Sequence, residues 1–428
     1  MAASKTKLAL LGGKPVLAKP LLPYKSMGRE EAVAVAEVMR SGRISAFYGS
    51  WGDDYFGGKK VRGFEAAWAE KFHTKHAVSV NSATSGLMAA MGAAGVEPGD
   101  EVIVPPYTMS ATAMAPLVYG GVPVFADIEA ETFCLDLDSV RRAITPRTRV
   151  ILAVNLFGHP ARLAELRTLA DERGIVLVED NAQSPLASEG EKFAGTIGHI
   201  GVFSLNFHKH IHTGEGGICV TDNDELALKL KMIRNHAENA VEHTGVSPVN
   251  MVGFNFRLTE LGAAIGLAQL AKSDEAVASR RHAADYLTQA AKDLSGLKTP
   301  LVRKGCSHVY YVWALRFDKE KIGVSRQVFA AALTAEGFPV FEAYVRPLYM
   351  LPAFQQRVAL GRGGFPFSLR PEVPYNKGLC PVCEKMHYEE FLGFETCAYA
   401  LDERKLEQLS RALLKVYENR AQLQGWGM

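Results

Sequence analysis

Between about residues 75 and 240, short apolar runs alternate with helical patterns, and that alternation leaves few ways for the chain to fold. His76–Val80, Glu101–Val104, Pro123–Ala126, Val150–Val154, Ile175–Val178 and Val202–Leu205 each read as a buried strand. Helical patterns such as Arg162–Glu172 lie between most of them. Repeated strand–helix units predict a mostly parallel sheet covered by helices on both faces, an α/β fold. Ligands in such sheets bind at the carboxyl ends of the strands. Asp222–His236 continues as a helix, with Leu226, Leu230 and Ile233 on one stripe. One long amphipathic helix is expected over Thr259–Ser295. Beyond it, a strand at Val309–Phe317 and helices at Arg326–Glu336 and Glu403–Arg420 suggest a second α/β unit. The division expected is an N-terminal segment 1–50, a large domain 51–298 and a small C-terminal domain 299–428. The first segment could pack on either domain.

A chain of 428 residues, 48% of them hydrophobic, is long enough for such a core and a second unit. Its 48 Lys+Arg against 46 Asp+Glu give no basic footprint for a nucleic acid and no cationic patch for a membrane surface. No run approaches the roughly 18 apolar residues that span a bilayer. Leu8–Leu11 is too short for a signal-peptide core. Six cysteines scattered over the chain read as thiols of a reducing compartment, so a cytoplasmic location is expected.

Three stretches carry candidate chemistry, each beside a strand end. In the stretch from Phe203 to Gly217, a strand ends at Ser204, Lys209 follows, and a Gly-Glu-Gly-Gly return closes the loop. Imine chemistry needs a neutral amine, which burial of Lys209 would supply; a surface lysine in a polar loop would read the same. Asp180 follows the apolar run Val176–Val178 and could pair with a protonated pyridine nitrogen, or simply cap a helix. Val78–Gly86 runs from a strand into small residues and then a helix (Leu87–Gly95), an arrangement that favours phosphate. Phosphate turn, carboxylate, then lysine is the chain order of fold-type-I pyridoxal-phosphate enzymes.

Further motifs make the likeness specific. Gly99–Pro106 (GDEVIVPP), Phe125–Ile128 (FADI), Thr145–Thr148 (TPRT), Gly195–Gly198 (GTIG) and Gly253–Glu260 (GFNFRLTE) accompany the lysine loop. With them the chain resembles the DegT/StrS-type sugar aminotransferase family over nearly its whole length. The resemblance implies a fold-type-I transferase with pyridoxal 5′-phosphate as cofactor. Lys209 would be the Schiff-base lysine and proton shuttle, Asp180 the partner of the pyridine nitrogen, and Gln183 a hydrogen-bonding partner near the phenolic oxygen. Ala83, Thr84 and Ser204 would hold the phosphate. Asn255 would reach the phosphate of a neighbouring subunit, making a homodimer with shared sites. Two positions depart from the family pattern: Ala83 stands where many relatives have Gly, and Met109 where an aromatic ring usually stacks on the cofactor. A thioether can partly replace stacking, or Tyr107 turns inward.

The implied reaction moves an amino group from glutamate or glutamine to a keto-sugar, usually nucleotide-linked. The start (Gly12–Val16) and the stretches Cys380–Glu384 and His387–Glu390 resemble instead the branch that aminates keto-cyclitols for aminoglycosides. Tyr48, Tyr107, His208, His308, Tyr310 and Tyr344 are candidate substrate contacts, with the Gly-rich loop Tyr48–Gly58 at the pocket entrance or merely in solvent. His208, His210 and His212 alternate without an accompanying Cys or carboxylate cluster, so no metal is expected. Cys380-Pro-Val-Cys383 lacks the second pair or the thioredoxin-like context a zinc or redox role needs. Two other readings share the fold: a sugar dehydratase, which has His in place of the lysine, and a non-catalytic regulatory protein.

Overall fold

In a computed structural model of the protein, residues 6–246, 250 and 252–426 are described. Seven strands form the main sheet: β1 His76–Val80, β2 Glu101–Val104, β3 Val122–Phe125, β4 Thr148–Val154, β5 Val176–Asp180, β6 Ile200–Ser204 and β7 Gly217–Thr221. Their order across the sheet is β1-β7-β6-β5-β4-β2-β3. All neighbours are parallel except β7, which runs against both β1 and β6. The strands are mostly apolar because helices cover both faces, with polar residues chiefly at their ends. Register then gathers the chemistry at one edge: Val154 lies opposite Asp180, Asp180 opposite Val202, and Gly217 pairs with both Ser204 and Val80.

The helices are α1 Arg29–Ser41, α2 Lys59–Phe72, α3 Ala83–Ala93, α4 Leu163–Arg173, α5 Asp224–Arg234, α6 Glu260–Ala271, α7 Ser273–Ala291, α8 Arg326–Ala335 and α9 Glu403–Glu418, with shorter turns between them. The expected long helix over 259–295 is therefore two. Lys272 leaves helical geometry (φ −98°, ψ 1°), and the Ser273 hydroxyl donates to the Leu270 carbonyl at the junction. The break aims the Lys272 ammonium at the buried Glu31 carboxylate (2.5 Å), which Gln269 also contacts (2.7 Å).

That contact ties α1 to the main core, whereas residues 8–21 go elsewhere. Leu8, Leu17 and Leu21 join a second core with Leu287, Trp313, Leu315, Phe329, Leu333, Phe394, Leu409 and Leu413. The fully buried Glu336 accepts the amides of Ala9 and Val16 and pairs with Lys415 (2.8 Å). The described part of the N-terminal segment thus packs on both bodies. The second core lies on a four-stranded antiparallel sheet of β8 Leu297–Lys298, β9 Trp313–Phe317, β10 Phe341–Glu342 and β11 Phe391–Phe394, in the order β8-β9-β11-β10. Leu348, Tyr349, Phe354, Phe367, Tyr375, Cys380 and Cys383 return to the main core.

The strand expected at Val309–Phe317 begins only at Trp313, because Tyr310 is left-handed (φ 49°) and turns the chain first. Two sequence motifs prove to be structural bolts. The Asp127 carboxylate accepts the amides of Val382 and Cys383 (2.8 and 2.9 Å), so FADI holds the Cys380–Cys383 turn in place. The buried Glu179 carboxylate accepts the amides of Gly195, Ile197 and Gly198 (2.5, 2.8 and 2.5 Å), so GTIG wraps around it. Gly195 is left-handed (φ 92°), and a Cβ there would sit 2.4 Å from the Phe203 ring. Glu179→Ala would leave three amides without their acceptor, at about 1–3 kcal/mol each. It is expected to destabilise the protein by about 3–5 kcal/mol, read as a lower denaturation midpoint. Glu179→Gln, which keeps an acceptor oxygen, should lose less.

Candidate active site

The strand ends enclose a cavity of about 220 Å³. Its floor is the start of α3. Ser82 caps that helix, its hydroxyl accepting the Ser85 amide at 3.0 Å. The amides of Ala83 and Thr84, in the first turn, have no intrahelical acceptor, and both residues line the cavity. β7 passes so close that a Cβ on Gly217 would sit 2.6 Å from the Ala83 nitrogen, which explains the last glycine of the return. Ser204 and Gly216 complete this end. Unpaired amides, a hydroxyl and the positive end of a helix make a receptor for a phosphate-like anion.

Asp180, the last residue of β5, forms the far wall and is 5% exposed. Its carboxylate accepts the Thr112 hydroxyl (2.9 Å) and the Ala182 amide (3.2 Å). Burial raises its pKa, against the opposing pull of those bonds and of the Lys209 charge. A carboxylate so placed is stabilised by a cationic N–H partner within the cavity. Gln183 beside it is fixed at both ends: its oxygen accepts the Phe157 amide (2.7 Å) and its nitrogen donates to the Tyr344 hydroxyl (2.8 Å). Phe157 delivers that amide from a left-handed conformation (φ 59°), local strain held in place by its packing.

Lys209 rises from a loop pinned at both ends, Lys209 N–H to the Asn206 carbonyl and Thr213 N–H to the Leu205 carbonyl, each 2.9 Å. Burial brings its ammonium pKa down to about 8, opposed chiefly by the negative charge of Asp180. Its Nζ lies 3.4 Å from the Tyr311 hydroxyl and 4.4 Å from the centre of that ring. The three histidines of the loop diverge. His208 lines the cavity, with a pKa pushed down to about 4 by burial and the neighbouring lysine. His210 is buried 3.5 Å from the Cys397 sulfur, and His212 meets the Ser26 hydroxyl at 2.6 Å.

Ala83, Thr84, Met109, Asp180, Gln183, Ser204, His208, Lys209 and Tyr344 therefore share one cavity. Met109, 59% exposed, stands at its rim. Five other candidates do not line it. Tyr107 is fully buried behind the wall, where its hydroxyl accepts the Tyr344 amide (2.8 Å) and its ring packs edge-on against Phe157 and Phe391. It does not turn inward. His308 and Tyr310 stack on each other at 3.9 Å, with His308 Nδ1 accepting the Tyr310 amide, and are buried under the turn they shape. Tyr48 is 63% exposed and is held through its backbone by Asp54 and Asn235. Asn255 is exposed; its side chain accepts from Arg257 (2.7 Å) and its carbonyl from Asn81 (3.4 Å). Sequence reasoning missed Thr112, Asn206, Glu215 and Tyr311. Only an aromatic cluster marked Tyr311, and nothing in it separated position 311 from 310.

The profile of the DegT/DnrJ/EryC1/StrS aminotransferase family matches residues 26–371. An L-glutamine:2-deoxy-scyllo-inosose aminotransferase of Streptomyces kanamyceticus is 33% identical over 440 residues, covering 99% of this chain and all of that protein. SpsC, a spore coat polysaccharide biosynthesis protein of Bacillus subtilis (strain 168), is 32% identical over 357 residues, 81% of this chain and 89% of that protein. Among solved structures, an aminotransferase from Psychrobacter cryohalolentis superposes with a TM-score of 0.82 at 27% identity, covering 94% of this chain and 99% of the other.

Proposed function

The chain belongs to the DegT/DnrJ/EryC1/StrS aminotransferase family, and from that premise we propose that it uses pyridoxal phosphate, held on Lys209, to move an amino group from glutamine or glutamate to a cyclic polyhydroxylated ketone. One observation carries the reading: a buried lysine amine, a buried carboxylate and the open amides of a helix start share a single cavity. Pyridoxal phosphate, when bound, supplies an aldehyde that condenses with amines and a ring that takes up the electrons of a carbon losing its proton.

The chain's own groups do the rest. Ala83 and Thr84 amides with the Ser204 hydroxyl hold the phosphate. Asp180 would accept the ring N–H and keep that nitrogen charged. Gln183, held by Phe157 and Tyr344, would be the hydrogen-bonding partner near the phenolic oxygen. Met109, at the rim, would offer its thioether to the ring. With a pKa of about 8, a usable fraction of Lys209 is neutral near pH 7. With the cofactor bound, its amine would carry the proton from the donor's Cα to the cofactor's C4′ carbon, and in the second half from that carbon to the acceptor's. His208, neutral at that pH, is suited to contact substrate hydroxyls. Exposed Asn255 and Tyr48 reach the site of a second copy in a homodimer with shared sites. The rival dehydratase reading would put His at the lysine position, which is Lys209 here.

For the acceptor, a keto-cyclitol is preferred over the nucleotide-linked keto-sugar that the sequence suggested first. The match to the inosose aminotransferase runs the whole chain, beyond the profile limits of 26 and 371, whereas the match to SpsC covers 81%. Among the described residues no helix is long and apolar enough to cross a membrane. That, with six free thiols, supports a cytoplasmic enzyme. A half-reaction screen tests the assignment. The visible absorbance of the bound cofactor should vanish with L-glutamine and return with an inosose at least about tenfold faster than with a nucleotide-linked keto-sugar. The opposite order would reassign the acceptor.

A further inference from the structure

We propose that Tyr311 is the positioning residue of Lys209: it holds the lysine amine whenever that amine is not bonded to carbon, so that it stays within reach of the atoms it serves. This rests on Lys209 being the cofactor lysine. The contact is double, with Nζ donating to the Tyr311 hydroxyl (3.4 Å) and lying over the ring (4.4 Å). An aromatic face within about 6 Å attracts an ammonium, and the hydroxyl accepts its N–H. A lysine with four rotatable bonds otherwise spreads over many rotamers, and confining it shortens the search for a productive geometry.

Tyr311 is itself held with unusual firmness. The preceding Tyr310 is left-handed (φ 49°), a conformation that persists in a non-glycine residue only when its surroundings enforce it. Here they do. The Tyr310 ring stacks on His308, its amide donates to His308 Nδ1 (2.9 Å), and the Thr396 hydroxyl donates to its carbonyl. Val309 and Val312 N–H groups donate to the carbonyls of Gly158 and Phe157 (2.9 and 3.2 Å). The turn therefore locks onto the β4 exit, whose Phe157 amide also fixes Gln183. His308 and Tyr310 act as the backing that aims Tyr311. Burial pushes the phenol pKa far up, so its hydroxyl stays neutral and leaves proton transfer to the lysine. The other titratable groups around the amine are Asp180 at the end of β5, Glu395 and Cys397 after β11, and His208 and His210 in its own loop.

Tyr311→Phe removes the hydroxyl and keeps the ring; Tyr311→Leu removes both. In the full-length protein without cofactor, brief reductive methylation at a series of pH values, read at Lys209 by peptide mass spectrometry, reports how easily the amine loses its proton. In Tyr311→Phe the half-labelling pH should fall by about half a unit, making Lys209 about threefold more reactive below it. Tyr311→Leu should fall further. In the loaded enzyme, Tyr311→Phe should keep the visible band and its removal by borohydride, yet slow the donor half-reaction about tenfold with little change in donor KM. A labelling profile and half-reaction rate equal to the parent's would overturn the proposal. Should Tyr311→Phe fail to fold, Thr396→Val loosens the same turn, and a parental labelling profile there would overturn it equally. If instead Lys209→Ala still formed the visible band, the cofactor assignment would be the one to fall.

Discussion

Lys209→Ala is expected to lower kcat/KM by at least about 10⁴-fold and to abolish the visible band that borohydride removes. Two roles end at once, the covalent hold on the cofactor and the proton transfer, which alone contributes about 10²–10⁴-fold. Stability should move the other way. Burial brings the Lys209 pKa down from 10.5 to about 8, so below that pH folding carries a charge that water solvates in the unfolded chain into a site that disfavours it. The penalty is full below about pH 8, shrinks between 8 and 10.5 and vanishes above. A shift of that size corresponds to about 3 kcal/mol. Lys209→Met keeps the aliphatic packing and discards the charge. Without cofactor it should therefore unfold at higher temperature than the parent at pH 7, and at the same temperature near pH 11. A Met variant less stable than the parent at pH 7 would mean that this lysine bears no such cost, and would remove the physical reason for its reactivity. Sites that store destabilisation of this kind are where function is bought with stability.

Much of this site is legible in the chain because parallel sheets advertise themselves. Strands covered on both faces must be apolar runs, so His76–Val80 and Glu101–Val104 emerge with their observed ends. The residues just past such runs then fall at the ligand edge, which is how Asp180, Lys209 and the turn at Ala83 come together. What escaped was set by backbone geometry that side-chain periodicity does not encode. The left-handed Tyr310 delays the start of an apparent strand by four residues and decides that Tyr311 rather than Tyr310 meets the lysine. The Lys272 break splits a continuous helical stripe because its ammonium has a buried carboxylate to reach from another segment. Tyr107 and His308 have the composition of contact residues, but sequence does not say which side of a wall an aromatic residue occupies. The GTIG and FADI motifs, read as marks of a catalytic family, serve carboxylates that hold turns.

Asp180→Asn is expected to cut kcat by about 10²–10⁴-fold and to weaken cofactor binding by more than tenfold. An amide matches the carboxylate in shape but cannot keep a ring nitrogen protonated, so the electron sink fails while the pocket survives. The local bonds are retainable: the Asn carbonyl can accept the Ala182 amide, and its nitrogen can donate to the Thr112 oxygen, replacing the bonds the Asp180 carboxylate now accepts. Stability separates this residue from its neighbour. Burial raises the Asp180 carboxyl, so ionising it opposes folding above the usual carboxylate range, and that opposition disappears as pH falls and the group is protonated. Without cofactor, the Asn variant should thus equal or exceed the parent in unfolding midpoint at pH 7, with the gain fading toward pH 4. Adjacent Glu179, also buried, should behave oppositely, because three backbone amides depend on it. One residue of the pair serves the fold and the other the reaction. Equal losses of stability in Asp180→Asn and Glu179→Ala at pH 7 would refute that division.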